Sequence, residues 1–431
     1  MTASYADDSV DRMAERLRES LANRGRAIDA YFYRSPLVYQ RELDHLVLRS
    51  WIYACHVSEI PRPGDYQLVA LGEDSIIISR DDEGGIHALM NICRHRGARL
   101  CQERSGNRST FVCPYHGWVY ARNGDLRAAR HMEMKTGFDK ADYGLRRARC
   151  VVYQGLVFVN CDASAGDFLG PLRKLERQLG AYDLASARVA HRQTYPIDAN
   201  WKLVLENYLE CYHCATSHRA YARMHTLKDL DCNTRERVRA MRERSERVTG
   251  VEGMAEEYRA IYGDAESFGA CVQASRYALY DGYLTGSEDG QPVAPLMGKI
   301  KGYDGGCGDH QLGPLGFMLN YPDYCVLYRF LPRGLTRTDM ELVWLVNGDA
   351  EEGVDYDRDS LTWLWHRTTL EDEYIISRNS EGVNSRFFIP GPYHPEFEYT
   401  LQLFIDWYLK CMQDSLFPSC TRDPNPRTPH E

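Results

Sequence analysis

Two short segments, Cys93-Arg94-His95 and Cys113-Pro114-Tyr115-His116, each carry one thiol and one imidazole, with seventeen residues between His95 and Cys113. This pairing constrains the fold more than any other feature, because both segments must meet at one end of a domain. Apolar runs precede each pair, IHALMN before the first and STFV before the second, so neighbouring loops of a β module would present them. Two cysteines and two histidines suit a tetrahedral zinc ion. They equally suit a two-iron cluster with both thiolates on one iron and both imidazoles on the other. A lone Cys or His is normally a packed side chain; four in matched C-x-H and C-x-x-H units argue for metal. Zinc fingers pair like residues and carry a helix, whereas here Cys and His alternate and the chain runs on into strands.

Composition points the same way. Fourteen cysteines in 431 residues are too dilute for a disulfide scaffold. The first twenty residues mix acidic and basic side chains without an apolar core, so no secretory signal is expected. No run approaches the length of a membrane span. A cytoplasmic chain is therefore expected, where clustered Cys and His more often mean metal than disulfides. The balance of 52 basic and 61 acidic residues gives a net charge of −9, which argues against nucleic acid or an anionic membrane as a partner.

Along the chain, residues 8–28 read as a helix with Val10, Met13, Leu17 and Leu21 on one face. Short strands follow from about residue 65 to 160, with a hairpin turn at Asp81-Asp82-Glu83-Gly84-Gly85. After Gly170 the pattern is mixed. A strand is expected over 188–196, helix over 199–214, and exposed helix within 228–262. An irregular Gly-rich loop is expected over 281–316, long strands over 323–332 and 340–348, then helices near 355–380 and 396–413. The tail TRDPNPRTPHE reads as loose.

A second constellation ends the 199–214 helix. Glu210 and His213 are three apart and share a helix face, while His218, five further on, converges with His213 only if the helix loosens after Cys214. Cys211 and Cys214, with the histidines, could form a zinc site, but they read better as small buried side chains. Two histidines and one carboxylate form the facial triad of non-haem Fe(II) oxygenases. The carboxylate is sought on another element. Leu361, Trp365, Thr368, Asp372, Ile375 and Asn379 make one helical stripe in which Asp372 is the only charge, while Glu371 and Glu373 point off to the side. Asp372 is the expected third ligand.

The cluster loops, with Arg96-Gly97-Ala98 and Gly117-Trp118, resemble the Rieske iron–sulfur motif. Rieske proteins of respiratory chains add a cysteine to each loop; Ala98 and Tyr115 stand at those positions, as in the lower-potential oxygenase kind. Nearly the whole chain resembles the α subunit of a Rieske non-haem iron oxygenase, whose iron motif matches Glu210, His213 and His218, with Asp372 as the late aspartate. Glutamate at 210, the string ENYLECYHC and the late GVNSRFFIPGPYHPEFE are more like the quaternary-ammonium branch of glycine betaine, stachydrine and carnitine oxygenases.

The resemblance implies an α+β fold: an N-terminal helical segment (1–49) packing on the catalytic domain, an all-β Rieske domain (50–165), a helix-grip catalytic domain with an antiparallel sheet (166–420) and a loose tail (421–431). It implies a [2Fe–2S] cluster on Cys93, His95, Cys113 and His116, and Fe(II) on His213, His218 and Asp372. It also implies a homotrimer in which Glu210 bridges the cluster of one subunit and the iron of the next. The expected activity is O2-dependent N-demethylation, fed by a flavin/iron–sulfur reductase and NAD(P)H. Hydroxylation of an aromatic ring on the same architecture is the alternative.

Overall fold

The short apolar runs between residues 52 and 160 fold as three small antiparallel sheets in the computed structural model, which describes residues 8–265 and 267–417. Ile86–Met90, Asp74–Arg80, Asp65–Leu71 and Ser105–Asn107 form one sheet; Phe111–Val112, Val119–Tyr120 and Leu126–Ala128 form another. The third sets Ile52–His56 against a hairpin of Arg149–Tyr153 and Leu156–Asn160. The run over 151–160 is thus two strands, because Gln154 and Gly155 take positive φ and turn the chain. The expected hairpin at 81–85 is present: Asp81 Oδ1 accepts the Glu83 and Gly85 N–H groups and Gly84 lies at φ 84°. Tyr66, Ile77, Leu89, Phe111, Trp118 and Tyr120 pack beneath the two Cys-His loops.

Downstream, seven antiparallel strands make one sheet in the order Arg188–Ile197, Arg337–Val346, Cys325–Gly334, Gly316–Asn320, Gly306–Leu312, Val272–Ala278 and Tyr258–Ala260. Strand alternation sends Val326, Tyr328 and Phe330 to one face and Cys325 and Leu327 to the other. The first face packs with Trp365 of a long helix, Arg358–Val383, and with the helix Trp201–Tyr208. The second is covered by Leu172, Leu175 and Leu179.

The Gly-rich stretch over 281–316 departs from expectation. Its end holds the strand Gly306–Leu312, and the next strand begins at Gly316. Glycine there reflects close packing rather than irregularity: a Cβ on Gly308 would stand 2.8 Å from the His310 ring. The 199–214 helix also differs, ending at Tyr208. The N-terminal helix, Val10–Ala22, is capped by Ser9 Oγ and buries Met13 and Leu17 against the Tyr399–Leu416 helix, while Val10 faces solvent. The tail over 421–431 lies outside the described residues. No helix among the described residues is long and apolar enough to cross a membrane.

One buried carboxylate ties the β modules to the seven-stranded sheet. Glu341 pairs with Arg104 at 2.5 Å, with Arg329 at 2.8 Å and with Arg192, and its side chain is 5% exposed. Arg192 also grips Glu59 with two hydrogen bonds of 2.6 and 3.0 Å, and Arg329 donates to the Tyr53 and Ala54 carbonyls. Burial alone would raise the Glu341 carboxyl, but Arg329, Arg192 and Arg104 hold it down at about 2. Glu341→Gln leaves three guanidiniums short of charge and is expected to destabilise the chain by about 3–5 kcal/mol in urea unfolding. The native protein should keep this contribution above the ordinary carboxylate value of 4.5 and lose it as pH falls toward about 2. The variant should lack that part of the acid dependence.

Candidate functional site

The two Cys-His loops are built alike. Cys93 N–H donates to Ala98 O at 2.9 Å and Gly97 N–H to Cys93 O at 3.0 Å; Cys113 N–H donates to Trp118 O at 2.8 Å and Gly117 N–H to Cys113 O at 3.0 Å. Gly97 and Gly117 take φ of 73° and 69°, a left-handed turn that glycine adopts without strain. Each loop buries its cysteine and exposes its histidine. The two imidazoles meet at the tip with ring centroids 4.5 Å apart, and His95 stacks on Trp118 at 4.9 Å. Tyr120 OH lies 3.2 Å from Cys93 Sγ and accepts the Arg94 N–H. These four groups do not converge as a single ion requires: the one donor set within 4.8 Å among the described residues lies elsewhere. Thiols inside and imidazoles at the tip suit two metals bridged between the pairs, not one tetrahedral zinc.

That other set is His213, His218 and Asp372. His213 Nε2 and His218 Nε2 are 3.0 Å apart, and Asp372 Oδ1 lies 3.4 Å from the first and 3.0 Å from the second. Edges of about 3 Å are those of adjacent ligands around an ion at about 2.1 Å. The convergence comes from a broken helix. After Tyr208 the chain turns, Glu210 Oε2 accepts the Tyr212 and His213 N–H groups, and Cys214–Ser217 makes one further turn before His218. The helix therefore loosens before His213 as well as at His218. Cys211 and Cys214 are not inert apolar side chains here: the turn brings their Cα atoms to 4.9 Å and they form a disulfide.

Hydrogen bonds fix both imidazoles. His213 Nδ1 donates to Glu210 Oε1 at 2.6 Å and His218 Nδ1 to Glu371 Oε2 at 3.1 Å, leaving each Nε2 to face Asp372. Burial disfavours charge on His213, yet Asp372 and Glu210 raise it to about 9. His218 is raised as well, Asp372 and Glu371 outweighing its burial. Positive charge is favoured among these groups, and an ion would supply it. The donor set, its spacing and its charge fit iron.

The architecture and both constellations now bear on family. Residues 50–139 match the Rieske [2Fe-2S] domain, and residues 184–414 match the ring hydroxylating alpha subunit (catalytic domain). The chain belongs to the Rieske-type ring-hydroxylating oxygenase family. Members of this family carry a [2Fe–2S] cluster in the first domain and a mononuclear iron in the second. A full-length relative is the oxygenase subunit of glycine betaine monooxygenase from Chromohalobacter salexigens, 32% identical over 96% of this chain and 93% of its own length. Two solved structures are similar in fold. The quaternary ammonium Rieske monooxygenase CntA superposes with a TM-score of 0.69 at 20% identity, covering 91% of this chain and 97% of that one. Naphthalene 1,2-dioxygenase from Rhodococcus sp. also gives 0.69 at 20% identity, covering 94% and 99%.

The fold gathers the residues singled out in this oxygenase's sequence in two places, Cys93, His95, Cys113 and His116 on the paired loops and Glu210, His213, His218 and Asp372 around the converging donors. Glu371 does not fit the expectation that it points aside, since it bonds His218 from the same helix that carries Asp372. Its signal was available: a ligating imidazole needs an acceptor for its other nitrogen. Asn207, whose amide nitrogen lies 3.4 Å from His213 Nε2, carried no such signal. Nor did the aromatic wall beside the donors. Tyr221 stacks on His225 at 4.0 Å and sits near Trp365 at 5.8 Å, and Tyr208 packs on Phe317 at 4.4 Å and Tyr328 at 5.2 Å. Glu371→Gln preserves shape but removes the acceptor charge. Fe(II) titration of the metal-depleted variant is expected to show binding about 10–100-fold weaker than in the native protein.

Proposed function

We propose that this chain is the terminal oxygenase of a monooxygenase system that removes an N-methyl group from a quaternary ammonium compound of the glycine betaine type. Similarity to a glycine betaine monooxygenase oxygenase subunit along almost the entire chain carries this reading. The aromatic side chains beside the donor set support it, since a quaternary ammonium donates no hydrogen bonds and is best met by ring faces.

In this reading His213, His218 and Asp372 would hold the iron, and Cys93, His95, Cys113 and His116 would hold the [2Fe–2S] cluster. Iron bound there supplies O2-dependent oxidation of a C–H bond. The chain's own part is to hold and exclude. Three protein donors would leave coordination positions free for O2, and Tyr221, 6.4 Å ring to ring from His218, and Trp365 add apolar surface beside them. Glu210 holds His213 in one orientation through the 2.6 Å bond to Nδ1. A hydroxylated N-methyl carbon is a carbinolamine, which collapses to formaldehyde and a tertiary amine.

Electrons reach the exposed His95–His116 tip from a separate flavin/iron–sulfur reductase using NAD(P)H. In a homotrimer that tip would meet the Glu210 of the neighbouring subunit. The working units are an N-terminal segment over 1–49, whose described helix Val10–Ala22 packs on the catalytic domain, a Rieske domain over 50–165 and a catalytic domain over 166–420, in a cytoplasmic enzyme.

Incubation with glycine betaine, a reductase and NAD(P)H is expected to release formaldehyde in step with substrate loss. Failure on betaines together with hydroxylation of aromatic rings would replace this reading with the ring-hydroxylating one. His213→Ala should abolish formaldehyde and lower the iron content while keeping the cluster's absorption and EPR signals. Loss of both centres would overturn the assignment of residues to them.

A further inference from the structure

The face of the seven-stranded sheet that packs on the long helix carries a carboxylate whose charge nothing answers. Asp309 lies in the middle of Gly306–Leu312, opposite Ser275 on one neighbouring strand and Leu319 on the other. The other residues of its strand are buried, and Asp309 is part-buried. Leu319 and Tyr277 on the two adjacent strands are likewise only part-buried, as is Tyr208 on the helix that leads to the metal ligands.

Other interior carboxylates are compensated. Asp304 has Arg276 at 2.6 Å, Glu42 has Lys202 at 2.6 Å, Glu341 has its three guanidiniums, Asp323 accepts from Thr285 and Val293, and Glu206 accepts from Tyr33. Among the described residues no cation and no hydrogen-bond donor reaches the Asp309 side chain, and burial alone pushes its carboxyl up to about 6. Its surroundings are rings. After burial, Asp309 is the leading charge acting on the Tyr208 and Tyr277 phenols. The Tyr221 phenol, raised by burial and then by Cys307, also senses both Asp309 and Asp372.

We propose that Asp309 is the counter-ion for the substrate's ammonium group, so that the interior bounded by Asp309 and the Tyr208, Tyr221 and Tyr277 rings selects small organic cations over neutral molecules of the same shape. The inference rests on the N-demethylation reading and adds the residue that sets its substrate class. An unpaired carboxylate in apolar surroundings is unfavourable by itself, and a cation without hydrogen-bond donors relieves it while the rings take up the methyl groups. A neutral aromatic substrate would leave the penalty in place.

The test compares glycine betaine with 3,3-dimethylbutanoate, in which carbon replaces the charged nitrogen. Equilibrium binding to the holoenzyme is read by calorimetry, and turnover by formaldehyde. The native enzyme should bind glycine betaine at least about tenfold more tightly than this isostere, whose tert-butyl head group carries no charge, and Asp309→Asn should erase most of that preference. In turnover the variant should raise KM at least about tenfold with a smaller change in kcat. Its cluster absorption should be native and its thermal midpoint no lower, since an uncompensated charge has gone. A variant that still prefers the ammonium would remove Asp309 from this role while leaving N-demethylation intact. A native enzyme that binds both isosteres equally would overturn the proposal without recourse to any variant. A native enzyme that binds neither and releases no formaldehyde would overturn the N-demethylation reading and this inference with it.

Discussion

The Glu341 carboxylate, shared by three guanidiniums, is the interaction on which the arrangement of this molecule depends. It sits where strands of the large sheet meet the small β modules: Arg192, Arg329 and Glu341 belong to three neighbouring strands, and Arg104 comes from the cluster-bearing domain. Taking the charges of Glu341, Arg192 and Arg329 out of water, with Arg104 half exposed at the edge, is unfavourable unless they are in register. A slip of one strand, or a rotation of one domain against the other, would strand a guanidinium without its acceptor. Hydrophobic packing supplies most of the stability of such a chain, but it is tolerant of small shifts. The ion cluster is not tolerant, and it fixes which way the cluster domain faces relative to the sheet.

A second constraint acts at the metal donors. Residues at 213 and 218 on an unbroken helix would point about 140° apart. The chain solves this by ending the helix at Tyr208 and letting Glu210 satisfy the N–H groups at the start of the next turn. The same carboxylate accepts a hydrogen bond from His213 Nδ1 through its other oxygen. One side chain thus shapes the backbone that delivers the ligand and orients the ligand itself.

Much of this was legible in the residues. Matched Cys-His loops, a Glu-x-x-His-x4-His segment and a single charge in an apolar stripe are discrete chemical signals, and each led to groups the fold brings together. The Asp372 stripe held for Leu361, Trp365 and Thr368 before the buried face moved to Ile376 and Ser380. What failed to show was whatever depends on contacts between distant segments. The Gly-rich strand at 306–312 lacks the β-branched residues that mark strands, because its small side chains make room for His310 and Arg276. Glu371 looked like a helix-surface acid until His218 was placed beside it. Asp309 stood in a stretch read as loop, so neither its burial nor its lack of a counter-charge could be inferred.

That last residue bears on how one architecture serves two kinds of substrate. The fold is common to a quaternary ammonium monooxygenase and a naphthalene dioxygenase, so the fold by itself does not select between such substrates and side chains must. Rings such as Tyr208 and Tyr221 favour a tetraalkylammonium over an aromatic hydrocarbon by the cation–π contribution only, since both pack well against them. Charge does discriminate. An unanswered carboxylate in that space penalises every neutral guest by leaving its own desolvation uncompensated, and rewards a cation in the same measure. Specificity of this kind is carried by what the site lacks when a neutral molecule occupies it, which is why a single acidic side chain on an otherwise ordinary strand is enough to separate the two chemistries.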